Sequence, residues 1–162
     1  MKHEPRWPVF IAVLSCAALN WFLPASMSAG PGHWIVAATF VLGLGTLFTV
    51  TYGPEWVHLS LAYAMHGVVT IALAVALGKL ITSLVTKQGR AEEVLASAGA
   101  IWGMNVLVFA SGYWRIDGGG PKGRRLHKSY KEGAFLFPQA TMSEEAKKMM
   151  NVGNWHPHFI DY

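Results

Sequence analysis

The chain has 162 residues, 52% hydrophobic and 14% charged, with a formal net charge of +4 and a mean hydropathy of +0.32. Soluble domains carry about 25% charged residues, so this composition excludes an ordinary water-soluble globule. The lone cysteine, Cys16, excludes an internal disulfide and reads as a small buried filler.

Charge spacing is more informative than the averages. No Asp, Glu, Lys or Arg occurs from Trp7 to Pro54, from Trp56 to Gly78, or from Val94 to Trp114. A spanning helix needs about 20 mostly apolar residues, so the first gap has room for two spans and each of the others for one. The expected fold is an all-α membrane protein with four transmembrane helices over 1–114, at about 7–25, 33–52, 56–86 and 94–114. Residues 115–162 form a polar, basic, aromatic-rich tail at the membrane surface, largely irregular but containing a short helix.

In chain order, the first helix follows Lys2 and Arg6, which together with the apolar run imitate a secretory signal. The run continues past Cys16 through Trp21-Phe22-Leu23, longer than an h-region, so it reads as an uncleaved helix. Pro24 lies near its end, Asn20 is its one strongly polar member, and Ala29-Gly30-Pro31-Gly32 supplies a tight uncharged turn. In the second helix Gly43 and Gly45 invite close approach by a neighbour, and Gly53-Pro54 ends it. The third carries small residues four apart, at Ala72 and Ala76 and at Ala74 and Gly78. Its Lys79, the one basic residue in an apolar run, is expected to snorkel toward the surface, because a lysine at mid-bilayer costs roughly 2.5–3.5 kcal/mol.

Lys87 to Glu93 is a charged loop. The fourth helix contains Gly99-x-x-x-Gly103, a helix-packing spacing, and Asn105, read as interhelical glue. Tyr113-Trp114 reads as an interfacial anchor, Asp117 as a partner of Arg115 or a cap of the turn, and Gly118-Gly119-Gly120-Pro121 as a sharp membrane exit. Trp114, Arg115, Asp117, Lys122, Arg124, Arg125 and Trp155 are the candidate lipid or partner contacts, each basic residue near an anionic surface being worth about 1 kcal/mol. In the tail, Thr141-x-x-Glu144 and Ser143 are capping signals for a helix through Met150, with Gly153 beyond it. Phe135, Phe137, Trp155, Phe159 and Tyr162 are too many aromatics for a free linker.

With four spans both ends share one side, which carries ten basic residues against Lys87 and Arg90, plus Lys79, on the other. Positive charge stays cytoplasmic, so both termini are expected there.

The order Asn105-Val-Leu-Val-Phe109, Tyr113-Trp114-x-x-Asp117-x-Gly119-Gly120-Pro121, Phe135-Leu-Phe-Pro-Gln139 and Trp155-x-Pro157-x-Phe159-x-Asp161-Tyr162 resembles a family of bacterial integral membrane proteins over roughly the last third of the chain. The resemblance implies a bacterial inner-membrane location, but the family supplies no established activity. In that family the Asp-Tyr is followed by a further apolar segment and another spanning helix, in a somewhat pore-loop-like arrangement, which implies either a shorter product here or residues beyond Tyr162.

Four arrangements invite chemistry. His66 lies inside the third helix one turn after Ala62, a small residue that leaves a groove in which haem or bacteriochlorophyll would lie flat while the imidazole ligates the metal. The competing and commoner reading is a histidine hydrogen-bonded to a neighbouring helix. Glu55-x-x-His58 has the spacing of half a di-iron site, without the second motif and further glutamates that such sites need. His156-x-His158 places two imidazoles at alternate positions around Pro157, with no Cys or carboxylate motif to join them. Gly118 to Arg125 lacks the Gly-Lys-Ser/Thr ending of a P-loop.

No Ser-His-Asp or Cys-His arrangement and no pair of membrane carboxylates is present, so no enzymatic activity, resident metal or cofactor is expected. The expected function is that of a structural accessory subunit packing against other integral membrane proteins in a larger complex, respiratory or photosynthetic. The lipid bilayer and those subunits are the expected partners, with no nucleic acid. A channel- or transporter-like protein and a haem- or chlorophyll-binding subunit through His66 are the alternatives.

Overall fold

The computed structural model describes residues 7–117, 120, 134–153, 155 and 157–162. These residues are helical wherever they are regular: α1 Trp7–Phe22, α2 Gly32–Tyr52, α3 Glu55–Thr86, α4 Ala91–Ile116, α5 Pro138–Thr141, α6 Glu144–Met149 and a 3₁₀ turn at Phe159–Asp161. Three helices, α2, α3 and α4, are long and apolar enough to cross a membrane; α1 is apolar but shorter. The chain divides into two compact units, Trp7–Phe109 and Ala110–Tyr162 with the first six residues, which are described separately.

The expected helix limits hold to within three residues. The largest differences, three residues each, are the start of α4 at Ala91 rather than residue 94 and the end of α1 at Phe22 rather than residue 25. Pro24 ends α1 early: its ring disfavours helical backbone at Leu23, and its carbonyl instead accepts from the amides of Met27 and Ser28, both at 2.8 Å, closing a turn. Two residues, Gly53 and Pro54, separate α2 from α3. The Gly53 amide caps α2 by donating to the Thr49 carbonyl at 2.9 Å. Between α3 and α4, Lys87 and Gly89 take positive φ of 53° and 94°, and the Gln88 amide returns to the Ser83 carbonyl at 3.0 Å.

Within the first unit, α2 lies close to both α1 and α3, and α1 and α3 approach each other. Two glycines set these distances. A Cβ on Gly43 would fall 2.0 Å from the Phe10 ring of α1, and one on Gly45 would fall 3.2 Å from Leu61 of α3. Close backbone approach of this kind brings many side-chain atoms of the two helices into dispersion contact.

The Ala72 and Ala76 stripe is buried, whereas Ala74 is exposed and Gly78 meets open space, so only one of the two expected stripes packs within the chain. The α2 hydroxyls turn inward on their own helix: Thr39 donates to the Ile35 carbonyl, Thr46 to Gly43 at 2.7 Å and Thr49 to Gly45 at 2.8 Å. Satisfying a hydroxyl on its own backbone spares it the cost of an unpaired polar group in an apolar setting.

Against α1, α4 contributes Met104, whose carbonyl accepts from the Cys16 thiol at 3.9 Å, and Gly103, which faces Leu19. Ile101, Met104 and Val108 form the buried face of α4.

Candidate functional site

The most organised cluster of polar and aromatic side chains in the second unit is centred on Asp117, the residue following α4. Asp117 is 3% exposed. Its Oδ1 accepts from the Ala134 amide and its Oδ2 from the Tyr162 hydroxyl, both at 2.6 Å. Both bonds are short because the acceptor is a carboxylate.

Around this carboxylate the aromatic rings stack edge to face. Tyr162 meets Phe135 and Phe137 with centroids 5.6 Å away in each case, Phe137 meets Trp155 at 5.3 Å, and Phe135 meets Tyr113 at 4.9 Å. Separations of this size are the favourable range for quadrupole pairing. Gly120 has φ of 72°, and a Cβ there would sit 2.6 Å from the Arg115 carbonyl oxygen, so the turn after α4 requires a glycine at that position.

One expectation is corrected here. Trp114, read as an interfacial anchor, is buried at 4% exposure and packs edge-on against Phe159 at 6.5 Å. The indole points inward because the folded segment offers an aromatic partner, which a spacing argument cannot see. Trp155 is half-buried against Phe137, and Arg115 is half-buried. Lys122, Arg124, Arg125 and His156, with Gly118, Gly119 and Pro121, lie outside the described residues. His158 is described: its amide donates to Asp161 Oδ2 at 2.6 Å, capping the 3₁₀ turn.

The expected short helix is α6. The Ser143 hydroxyl accepts from the Ala146 amide at 3.2 Å, with Glu144 and Glu145 in the first turn and Lys147 and Lys148 in the last, all signs favourable to the helix dipole. Thr141 instead closes α5.

In the first unit a second polar cluster sits at the α1–α2 connection. Lys79 Nζ donates to the Ser28 carbonyl at 2.6 Å, and the Ser28 hydroxyl lies 3.2 Å from Asn20 Oδ1. Lys79 therefore reaches the α1–α2 connection.

At the opposite end of α2, His58 lies with Nδ1 3.1 Å from the Thr46 carbonyl. A carbonyl can only accept, so Nδ1 carries the proton. His66 is half-buried, but Ala62, which was to leave a groove beside it, is 5% exposed, its surface already covered by protein. Among the described residues no group of three His, Cys, Asp or Glu side chains is placed to hold a metal ion.

The helix-packing residues separate. Gly103 meets Leu19, Gly99 meets open space and Asn105 is exposed. Of the Gly-x-x-x-Gly pair, Gly103 alone has a close neighbour among the described residues.

Comparison with models of known families, with characterised proteins and with solved structures finds no match to this chain.

Proposed function

We propose that the protein is an integral membrane protein that acts as a structural accessory subunit, its helices docking other membrane proteins and its carboxyl-terminal segment folding at the membrane surface. The observation that carries this reading is the outer surface of the long helices. Phe48, Ile71, Val85, Leu95 and Trp102 all point outward, and only 17–28% of each helix's most apolar window is covered by the chain itself. A soluble protein does not leave that much contiguous apolar area uncovered, whereas lipid tails and partner helices cover it.

Intramembrane ionisable groups mark transport and catalytic paths. Between Trp7 and Gly78, Glu55 is the only Asp, Glu, Lys or Arg, it stands at the start of α3, and the other ionisable side chains that charge near neutral pH are the histidines His33, His58 and His66. This paucity favours a structural role over a conducting or catalytic one. In this reading the termini are cytoplasmic and the membrane is the bacterial inner membrane, following the basic residues and the resemblance.

Gentle purification from the source membrane tests the proposal. Stoichiometric co-purifying membrane proteins and a colourless preparation are expected. A partner-free preparation that passes ions in liposomes would overturn it in favour of a channel, and a Soret or chlorophyll band lost on His66→Leu would overturn it in favour of a pigment subunit.

A further inference from the structure

We infer that Leu136 and Ile160 anchor the second unit to the bilayer, their side chains entering the headgroup layer of a membrane that contains anionic lipid. The inference rests on the proposal that α4 crosses that membrane. Both residues belong to short segments fastened to the end of α4. Phe135 meets Tyr113 at 4.9 Å, Phe159 meets Trp114 at 6.5 Å, and the Tyr162 hydroxyl donates to Asp117. Leu136 and Ile160 are each one residue from such a contact, yet they are 86% and 89% exposed.

The height of these contacts identifies the surroundings. α4 ends at Ile116, so Tyr113 and Trp114 stand in its last turn. Helical side chains lean toward the amino end and cover the turn before their own Cα. Rings packed on Tyr113 and Trp114 therefore lie beside the helix, about one turn or 5 Å short of its end, and not beyond it. For a spanning α4 that level is the boundary between hydrocarbon and headgroups. Burial alternates there: Phe135 and Phe137 are half-buried against Tyr162, at 5.6 Å each, and Leu136 between them is turned outward.

Charge points to lipid as the occupant. Residues 115–162 carry eight Lys and Arg against five Asp and Glu, an excess that suits an anionic headgroup layer. Large aliphatic side chains set among basic ones are the composition of segments that lie in the membrane interface. The anchoring role that local spacing assigns to Trp114 thus falls to Leu136 and Ile160, because Trp114 is buried against Phe159. Both anchors are held by packed neighbours, so entering the headgroup layer requires no rearrangement of the aromatic cluster.

Spin labels on the full chain in vesicles of phosphatidylcholine and phosphatidylglycerol test this. In a Cys16→Ala background, a nitroxide on Leu136→Cys or on Ile160→Cys should collide more often with oxygen, which concentrates in hydrocarbon, than with a water-soluble nickel chelate. Neither side chain is packed, so the label displaces no contact. Ile71→Cys, at a position 66% exposed on α3, is the reference for lipid. A preference for nickel at position 136 or 160, with oxygen preferred at 71, would overturn the anchor and leave the accessory-subunit reading standing. Shielding of either label from both reagents would also overturn it, since a protein surface would then cover the site. A preference for nickel at all three positions would overturn both readings together.

Discussion

In the first unit a Phe10 ring occupies the space a side chain on Gly43 would need, and in the second a Tyr162 hydroxyl and the Ala134 amide converge on one buried carboxylate. The first contact is a matter of shape: it has no direction and depends only on the absence of a side chain at Gly43. The second is directional and depends on atoms at both ends. The contrast follows the surroundings proposed for each unit. Where lipid tails replace water, helices distinguish partners by how closely backbones come together. At a watery boundary the segment Ala110–Tyr162, with few long helices, gains its order from specific hydrogen bonds and stacked rings.

The sharpest way to break the contrast is Asp117→Ala. Two hydrogen bonds to a charged acceptor, each worth roughly 1.5–3 kcal/mol, are lost together, so the second unit should loosen by about 3–5 kcal/mol. Limited proteolysis should then cut within 134–162 many times faster, while the thermal transition of the helices in detergent stays in place. If both units melt together, the division between them is wrong.

Next in size is Gly43→Leu, which drives a side chain into the Phe10 ring and should cost about 1–3 kcal/mol of helix association. Adding Phe10→Ala should recover most of the loss in thermal unfolding, as a shape-based contact requires. Tyr162→Phe removes one of the two bonds to Asp117 and should cost about 1.5 kcal/mol in the same proteolysis assay, clearly less than Asp117→Ala. The smallest effect is Ser143→Ala, which removes the α6 cap. About 1 kcal/mol is expected, visible as faster hydrogen exchange at the Ala146 amide and nowhere in the first unit.

The same contrast explains what could be read from the residues in order. The four apolar helices, the Gly53-Pro54 break, the Ser143 cap and the close-approach glycines Gly43 and Gly45 are all local signals, carried by charge-free length, backbone restriction or side-chain absence. The contacts that could not be read are long-range. Tyr162 lies 45 positions from Asp117, and Lys79 lies 51 from Ser28, so neither pairing leaves a trace in spacing. Trp114 shows the limit most clearly. Next to Tyr113 at the end of an apolar run it has every local mark of an interfacial ring, yet it is buried with Phe159 returning to its side. The Gly99 and Gly103 pair fails differently: the two share a helix face, but Leu19 comes within contact distance only of Gly103, and spacing cannot say how far along a helix a neighbour reaches.

The bond from Lys79 to the α1–α2 connection can also be considered as a measuring device. Glu55 begins α3, and 24 residues later Lys79 is held at the far end of the hairpin by the Ser28 carbonyl. That interval is about 36 Å of helix, against a hydrocarbon core of about 30 Å. In the proposed bilayer setting the two charges would act as the end marks of a ruler cut slightly longer than the layer it measures, with the last seven residues of α3 beyond its upper mark. A small tilt reconciles the lengths in an ordinary bilayer, and a thicker one is accommodated by standing the helix upright. Because the upper mark is fastened to a neighbouring hairpin, such a change in tilt would move α1 and α2 with α3, so membrane thickness would set the inclination of the three helices together.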